Sequence, residues 1–412
     1  MRSLAAFLLS ITLQMALSAG DNWPAYRGAN GDGISTAKNI PTTWTETENL
    51  LWKVPVHGKG WSSPVVWGEQ VWMTTATEDG TSLSAVRVDL KSGKITHDKR
   101  VFYVKKPQYV NPFNSYASPT PVVEEGRAYV HFGAHGTAAI DTATGKLLWT
   151  RQDLPCDHFR GPGSSPILFE NLLIVNYDGF DLQYVVALDK NTGDTVWKQD
   201  RNIDYGTDDG DFKKAYGTPR VITVNDHPQL INPSAGAVIS YDPRTGKEIW
   251  RVKCGGMNVS ARPLWAHGMI YGTTAAGGFQ LFAVRPDGQG DLTKSHVAWK
   301  QSKSIPTRST PIMIDDLIYM VNDAGIFSCV EAKTGSQVWV QRLGGNYTAS
   351  PIYADGKLYF FNQEGECPVL EPGREFKLLA TNKLDGGCMA SPAVADNALL
   401  VRTRTHLYRI QK

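Results

Sequence analysis

The sequence lacks closely spaced cysteines: its five are scattered, at Cys156, Cys254, Cys329, Cys367 and Cys388. Without a CxxC motif or an adjacent pair, structural zinc binding is not expected. The odd number leaves at least one cysteine outside any intramolecular disulfide, and buried free cysteine is common in strand-like segments. Cys367 and Cys388 are nearest in the sequence, but spacing alone does not assign a disulfide to them.

An excess of charge of one sign is also lacking. The 42 Lys and Arg residues nearly balance the 40 Asp and Glu residues, which leaves a formal charge of +2. Binding to nucleic acid or to an anionic membrane is therefore not expected. P-loop, nucleophile-elbow and zinc-protease motifs are absent too. The segment "GANGDG" follows no strand of a βαβ unit, so it predicts no phosphate cradle.

Long hydrophobic runs are missing after residue 20, so the mature chain has no predicted transmembrane segment. Residues 1–20 have the pattern of a secretory signal: Arg2, the apolar run "LAAFLLSITLQMAL" and small residues before position 21. No cysteine follows the run, so a lipoprotein anchor is not expected. We expect an exported, periplasmic or secreted monomer, with an uncleaved N-terminal anchor as the alternative.

What the sequence does contain is a repeat. Eight units open with a short signal of small residues, a proline and apolar residues, and the units are 40 to 57 residues apart. This is the length of a four-stranded propeller blade. The unit prolines are Pro64, Pro121, Pro166, Pro219, Pro263, Pro311, Pro351 and Pro392. The fold class predicted is all-β, an eight-bladed β-propeller of four-stranded blades.

Within a unit, short strands rich in β-branched and aromatic residues alternate with Gly, Asp or Asn turns. The element D-x-x-TG, as in Asp141–Gly145, predicts a tight hairpin in which Gly supplies a positive φ. A Trp follows four residues after that Gly, as in "GKLLWTR". We interpret these Trp residues as scaffold between blades. The fifth unit has a longer turn before Trp299, and the seventh replaces the Trp motif with "EPGREFKLL".

The two chain ends complement each other. The eighth unit stops at Lys412 after three strands, and "NLLWKV" near Asn49 reads as an outer strand without a blade. Pairing them closes the ring and removes two open sheet edges. We therefore expect one propeller over residues 49–412, with its last blade closed by an N-terminal strand. Residues 21–48 are expected to lie over it as an extended arm, although where its polar and aromatic residues dock is left open.

One face of this propeller is predicted to carry the function. Long loops such as "FYVKKPQYVNPFNSYA" precede the innermost strands, whereas the turns on the opposite face are short. Counting back from the unit prolines identifies eight candidate ligand-binding residues near the funnel mouth: Trp61, Tyr116, His158, Arg160, Tyr216, Arg262, Arg308 and Tyr347. The three arginines would form a positive bowl suited to carboxylate, sulfate or phosphate, and the aromatic rings to sugar faces. Alternatively, the arginines pair with Asp157, Asp178 or Asp181 for structural reasons.

Further residues offer acid–base or metal chemistry. The candidates for general acid or base are His131, His135, Asp178 and Asp181. His131 lies in the apolar context "YVHFG", which also fits a core histidine. The acidic run at residues 204–211 suggests calcium binding, but it lacks the residue spacing of a calcium-binding loop and is more typical of a solvated loop. No metal site is predicted.

The pattern A-x-D-x-x-TG-x-x-x-W resembles the pyrroloquinoline-quinone (PQQ) repeat of quinoprotein dehydrogenases. The same repeat builds the propeller subunit of the bacterial outer-membrane assembly machine. Residues 21–412, with "WPAYRGANGDGIS" and "RGPGSSPILFENLLIVNYDG", are similar to secreted bacterial PQQ-binding-like β-propeller repeat proteins. The resemblance implies the fold more than the function. Quinoprotein alcohol dehydrogenases stack PQQ between a Trp and a vicinal disulfide beside Ca²⁺; this chain has no Cys-Cys pair, and no catalytic Asp is matched.

The leading functional hypothesis is an exported, non-catalytic binding or scaffold protein that recognises a partner protein or an anionic carbohydrate at the funnel face. It expects no cofactor. The first alternative is a lyase-like enzyme on carbohydrate, in which His158 or Tyr116 acts beside an arginine that neutralises a uronate. The second is a PQQ-dependent oxidoreductase with calcium.

Overall fold

The structure is a computed structural model that describes residues 22–278 and 280–412. The predicted signal peptide, residues 1–20, lies outside the described residues. In the described part of the chain, eight sheets of mainly antiparallel strands are arranged as an eight-bladed β-propeller, as predicted. No helix in this part is long and apolar enough to cross a membrane.

The first described strand, β1 (Leu50–Pro55), precedes blade 1 in the sequence but belongs to blade 8. Blade 1 comprises β2 (Val65–Trp67), β3 (Gln70–Ala76), β4 (Ser82–Asp89) and β5 (Ile95–Tyr103). Blade 2 comprises β6 (Val122–Glu124), β7 (Arg127–His131), β8 (Thr137–Asp141) and β9 (Leu147–Arg151). Blade 3 comprises β10 (Ile167–Phe169), β11 (Leu172–Asp178), β12 (Gln183–Asp189) and β13 (Thr195–Asp200). After a 3₁₀ turn (Gly210–Lys213), blade 4 comprises β14 (Arg220–Val224), β15 (His227–Pro233), β16 (Ala237–Tyr241) and β17 (Glu248–Lys253).

The second half of the ring repeats this order. Blade 5 comprises β18 (Leu264–Ala266), β19 (Met269–Thr273) and β20 (Leu281–Val284), then, after the short β21 (Gly290–Asp291), β22 (Val297–Gln301). Blade 6 comprises β23 (Ile312–Ile314), β24 (Leu317–Val321), β25 (Ile326–Glu331) and β26 (Gln337–Arg342). Blade 7 comprises β27 (Ile352–Ala354), β28 (Lys357–Tyr359), β29 (Glu366–Glu371) and β30 (Lys377–Lys383). Blade 8 comprises β31 (Ala393–Ala395), β32 (Ala398–Arg402), β33 (His406–Ile410) and β1.

The ring closes in blade 8, where β1 is the outer strand. It pairs antiparallel with β33, with Lys53 opposite Tyr408, which confirms the predicted closure. The buried guanidinium of Arg402 ties this blade to blade 1 by donating to the carbonyl oxygens of Ser62 (3.0 Å) and Thr74 (2.8 Å). Backbone pairing and a charged donor thus join the two ends of the chain.

Outer-strand Trp side chains connect neighbouring blades. The indole of Trp149 in blade 2 lies against the TG turn of blade 3, where a Cβ on Gly193 would come within 2.7 Å of the ring. Its Nε1 donates to Lys190 O of that blade at 3.0 Å. The same donation to the next blade is made by Trp52, Trp197, Trp299 and Trp339. The scaffold interpretation of these Trp residues is confirmed.

The two unusual units keep this scheme. The long turn of the fifth unit places β21 alongside β17, which gives blade 4 a fifth strand. In the seventh unit, where the Trp motif is replaced, Gly373 O still accepts from Trp339 Nε1 at 3.1 Å. The inter-blade contact therefore survives both departures.

A belt of hydroxyl groups surrounds the central channel. The residue before each unit proline is Ser or Thr in seven blades, and in six of these its side-chain oxygen accepts from the equivalent backbone N–H of the preceding blade. Six such bonds of 2.9–3.1 Å are present among the described residues. In blade 5 the position is Arg262.

The segment from Trp23 to Ser35 occupies the channel rather than lying over the ring. The backbone of Trp23 pairs with Val66 of blade 1, and that of Ile34 pairs with Tyr353 of blade 7. Between them, Arg27 is 1% exposed and donates to Pro351 O at 3.0 Å. We call residues 23–35 the channel plug. Further along the arm, Trp44 packs against Tyr359 and Phe361 in the core of blade 7.

Candidate functional site

A cavity of about 640 Å³, here called the funnel cavity, opens where the innermost strands begin. Ser63, Thr120 and Ser165 of the hydroxyl belt line it, together with Tyr26 of the channel plug. The Tyr26 hydroxyl lies 3.0 Å from Ser350 Oγ, so the plug contacts the hydroxyl belt at this level. The cavity is large enough for a small ligand or for several side chains of a partner.

The structure places four of the eight candidate residues around the funnel cavity: Trp61, Arg160, Tyr216 and Arg308. Trp61 is held by its Nε1, which donates to Phe113 O at 3.1 Å. Tyr216 lies under the ammonium of Lys214, 4.6 Å from the ring centroid. Burial raises the pKa of the Tyr216 hydroxyl above its usual range.

Both arginines at this cavity are already paired with carboxylates. Arg160 Nη2 lies 2.5 Å from Asp211 Oδ2, and Arg308 Nη1 lies 2.9 Å from Asp323 Oδ2. Arg308 also stacks over the Phe113 ring at 4.4 Å. The predicted positive bowl is therefore largely neutralised. The aspartates that neutralise it are also not the ones expected from the sequence.

Arg262 does not reach the funnel cavity. It is 8% exposed and extends along the channel, where Nη1 donates to Tyr26 O at 2.7 Å and Nε to Pro219 O at 3.1 Å. Its position before a unit proline turns the side chain into the channel, where the plug covers it. Burial and the neighbouring Arg220 charge lower the pKa of Arg262 to about 9.

Tyr116 and Tyr347 have packing roles. The Tyr116 ring lies on Gly80, where a Cβ would come within 2.4 Å, and its hydroxyl donates to Gln108 O at 2.8 Å. Tyr347 is 1% exposed and packs edge-on against Phe327. Neither side chain lines the funnel cavity.

His158 belongs to a buried polar group behind the cavity wall. Its Nδ1 lies 3.1 Å from the Nζ of Lys214, which also donates to Asp178 O at 2.8 Å. The Sγ of Cys156 lies 3.8 Å from the same ring nitrogen. Burial lowers the pKa of Lys214 to about 8, and burial with the Lys214 charge holds the pKa of His158 well below its usual range. Both side chains are inaccessible to a substrate in the cavity.

The other acid–base candidates are also distributed over the scaffold. His131 donates to or accepts from Thr137 Oγ1 at 2.8 Å and stacks edge-on against Tyr177, as a core histidine does. Asp178 forms a buried ion pair with Arg201, with oxygens 2.9 and 2.8 Å from two guanidinium nitrogens. The two remaining candidates, His135 and Asp181, accept backbone N–H bonds. These residues therefore stabilise loops and blades.

Sequence reasoning missed the two carboxylates that matter most at the cavity. Asp211 is the last residue of the acidic run, which is interpreted as a solvated loop rather than a calcium loop, and its Arg160 partner is 51 positions away. Asp323 lies in the turn "NDAG" of blade 6, which opens on the same face. For both residues, the available sequence signal was an aspartate in a loop or turn on the face that carries the long loops.

The cavity lining does not fit a quinone held beside calcium. Among the described lining residues, Asp323 is the single carboxylate, and it is engaged by Arg308 and by the Thr307 backbone N–H at 3.1 Å. All five cysteines are free and buried, so no disulfide offers a stacking surface. No group of three or more possible metal ligands is found in the described ranges.

Comparison with known proteins gives a family match over most of the chain. The family model described as outer membrane protein assembly factor BamB matches residues 36–152, 104–182 and 181–412. A curated relative with that description, from Yersinia pestis, is 24% identical over 72% of this chain and 76% of its own length.

Solved structures agree on the fold. BamB from Moraxella catarrhalis superposes with a TM-score of 0.63 at 13% identity, covering 88% of this chain and 97% of its own. A europium-containing methanol dehydrogenase superposes with a TM-score of 0.71 at 13% identity, covering 95% and 91%. Because an assembly factor and an enzyme share this architecture, the fold alone does not decide the function.

Proposed function

We propose that this chain, which belongs to the outer membrane protein assembly factor BamB family, is a non-catalytic protein that binds a partner polypeptide through its funnel face. Its relatives carry the name of an outer membrane protein assembly factor. We accordingly place the mature protein in the periplasm, working beside the outer membrane. The observation that carries the proposal is a set of exposed aromatic side chains beside the funnel cavity.

These side chains form what we call the aromatic rim: Tyr109, Phe113, Phe159 and Phe212. Their exposed fractions lie between 38% for Phe159 and 57% for Tyr109. The Tyr109 and Phe159 rings are 5.9 Å apart, and Phe159 packs on Phe180 at 4.9 Å. Rings fixed by neighbours lose little entropy on binding, and clustered exposed aromatics mark protein interaction sites.

The charges around the cavity favour a polypeptide over a polyanionic glycan. Arg160 and Arg308, the cationic residues of the lining, are compensated by Asp211 and Asp323. An acidic sugar that bound these guanidinium groups would have to compete with carboxylates that already lie within salt-bridge distance of them. A partner polypeptide uses the apolar surface of the rim and leaves the ion pairs intact.

The positions of the acid–base residues argue against the carbohydrate-lyase alternative. His158 is 3% exposed and its Nδ1 is engaged by Lys214. The Tyr116 hydroxyl is engaged by Gln108 O. A general base has to reach the proton that it removes, and neither group lines the cavity. The poor fit to quinone and calcium supports function without PQQ.

The proposal is tested by removing the rim. Truncating a central interface aromatic typically costs 2 kcal/mol or more, which is an approximately 30-fold loss of affinity. We expect the double variant Tyr109→Ser/Phe212→Ser to fold with an unchanged melting temperature. Replacing the native protein in its host, it should reduce the level of folded outer membrane proteins.

The matched control is Leu378→Ser/Leu379→Ser, which removes two exposed apolar side chains from β30 of blade 7. This control should leave outer membrane protein levels unchanged. Equal effects of the two double variants would reject a specific role of the rim. Titration of the purified protein with PQQ and Ca²⁺ provides a second check, because a saturable quench of Trp fluorescence would contradict the cofactor-free function.

A further inference from the structure

A second cavity lies on the far side of the channel plug from the funnel cavity. It has a volume of about 400 Å³ and is bounded by the plug and by the innermost strands of blades 3 and 4. Its charged lining residues are Arg220, Arg262 and Asp32, and Asn30 is exposed at its edge. We call it the lower cavity.

Positive charge at the lower cavity exceeds the negative charge available to balance it. Two guanidinium groups line the cavity, and Arg27 lies close enough for its charge to lower the pKa of Arg262. Asp32 is the single carboxylate among the described lining residues. Counting Arg27, three positive charges face one negative charge. An excess of two charges at this partly buried site is costly unless an anion compensates it.

Hydrogen-bonding capacity is also unused there. Arg220 Nη1 is buried and has no hydrogen-bond partner among residues 22–278 and 280–412. Arg262 is held in place by Tyr26 O and Pro219 O, so its orientation is set before any ligand arrives. Gly31 permits this arrangement, because a Cβ there would come within 2.0 Å of Arg262 Nη1.

We propose that the lower cavity binds a phosphate group through Arg220 and Arg262. Guanidinium groups present N–H pairs that match phosphate oxygens. A phosphate monoester carries about −1.5 to −2 charges at pH 7, which offsets the excess of two. The volume leaves room for an organic substituent, so either the free ion or a monoester fits. This site is separate from the funnel face and does not rest on the function proposed for it.

The test is calorimetric titration of the full mature protein at pH 7.5 with inorganic phosphate and, separately, with glycerol phosphate. Ionic strength is matched with chloride. We expect saturable binding, weakened at least about tenfold by Arg220→Gln because a hydrogen bond to a charged group is lost. Asp32→Asn keeps the oxygen that accepts from Ile34 N but removes the negative charge. It should therefore strengthen binding severalfold.

Arg342→Gln is the matched control, since Arg342 is exposed on β26 of blade 6. Tighter binding of glycerol phosphate than of phosphate would identify a monoester as the ligand, and equal binding the free ion. The proposal is overturned if neither compound binds saturably to the wild-type protein. It is equally overturned if Arg342→Gln weakens binding as much as Arg220→Gln. Asp32→Asn is independent of any effect of Arg220→Gln on folding, so an unchanged affinity in Asp32→Asn also overturns the proposal.

Discussion

Single residues in the channel take up roles that differ from those of their equivalents in neighbouring blades. Seven blades place a Ser or Thr before the unit proline, and each side chain is small enough to sit within the hydroxyl belt. In blade 5 the equivalent residue is Arg262, and its side chain instead donates to Tyr26 O of the channel plug. One substitution in the repeat therefore joins the ring to the segment that fills it.

Buried histidines make the fold sensitive to acid. Burial lowers the pKa of His131 to about 3, and it also lowers those of His135 and His158. In the unfolded chain these groups accept protons near pH 6.5. The unfolded state thus binds more protons as the pH falls from about 6.5 toward 3, and stability is lost in that window.

We predict that His131→Gln reduces this acid sensitivity. Between pH 7 and pH 5 the wild-type protein should lose about 2 kcal/mol of unfolding free energy through His131 alone. Urea unfolding at the two pH values should show a loss smaller by that amount in the variant. His57→Gln, at a half-exposed position, is the control. If the losses in His131→Gln and wild type are equal, His131 does not titrate as its burial implies.

At the scale of elements, the channel plug is the least repetitive part of the protein and one of the most constrained. Residues 23–35 contact blades 1, 2 and 7 through backbone hydrogen bonds, and blades 5 and 6 through Arg262 and Arg27. The backbone turns sharply at Gly28, Gly31 and Gly33, all with positive φ. These turns hold Arg27 inside the channel.

A matched pair of glycine substitutions tests the plug. Gly31 has φ +66° and its added Cβ would clash with the fixed Arg262 guanidinium, whereas Gly68 has φ +57° and open space around it. Both changes to Ala incur the cost of a left-handed backbone, about 1 kcal/mol. Gly31→Ala should cost about 1–3 kcal/mol more, because the packed contact has to rearrange. Urea unfolding measures both variants, and equal costs would show that the plug does not press on Arg262.

The elements differ in how far the sequence predicts them. Blade strands, TG turns and Trp contacts recur with a period, so eight weak signals reinforce one another, and even the closing strand follows from what blade 8 lacks. The plug occurs once, and no period indicates where Tyr26 and Arg27 dock. The expected arm was therefore placed over the ring instead of inside it.

For the candidate residues near the funnel mouth, the sequence likewise predicts only part of the arrangement. Position relative to the unit proline identified Trp61, Arg160, Tyr216 and Arg308 at the cavity, because loop ends converge on the axis. It could not distinguish a side chain directed into the cavity from one directed into the channel, as for Arg262, or into the core, as for Tyr347. Ion-pair partners such as Asp211 come from other loops, and their pairing depends on loop conformation.

At the scale of the whole molecule, the two faces differ in character. The funnel face carries long loops, the aromatic rim and a cavity with balanced charge, whereas the lower cavity carries uncompensated arginines. The plug lies between the two cavities, and Arg262 of blade 5 is bound to it through Tyr26 O. We therefore expect the two faces to bind different ligands independently.

Site-specific photo-crosslinking in the native host tests whether the funnel face binds a partner polypeptide. A photoreactive amino acid replaces Phe212 in the aromatic rim or Leu378 on the outer strand of blade 7, two side chains of comparable exposure at 48% and 42%. If the rim contacts a partner, position 212 should give a discrete crosslinked protein species and position 378 should give none. Absence of a crosslink at 212, or the same products from both positions, would contradict partner binding at this face.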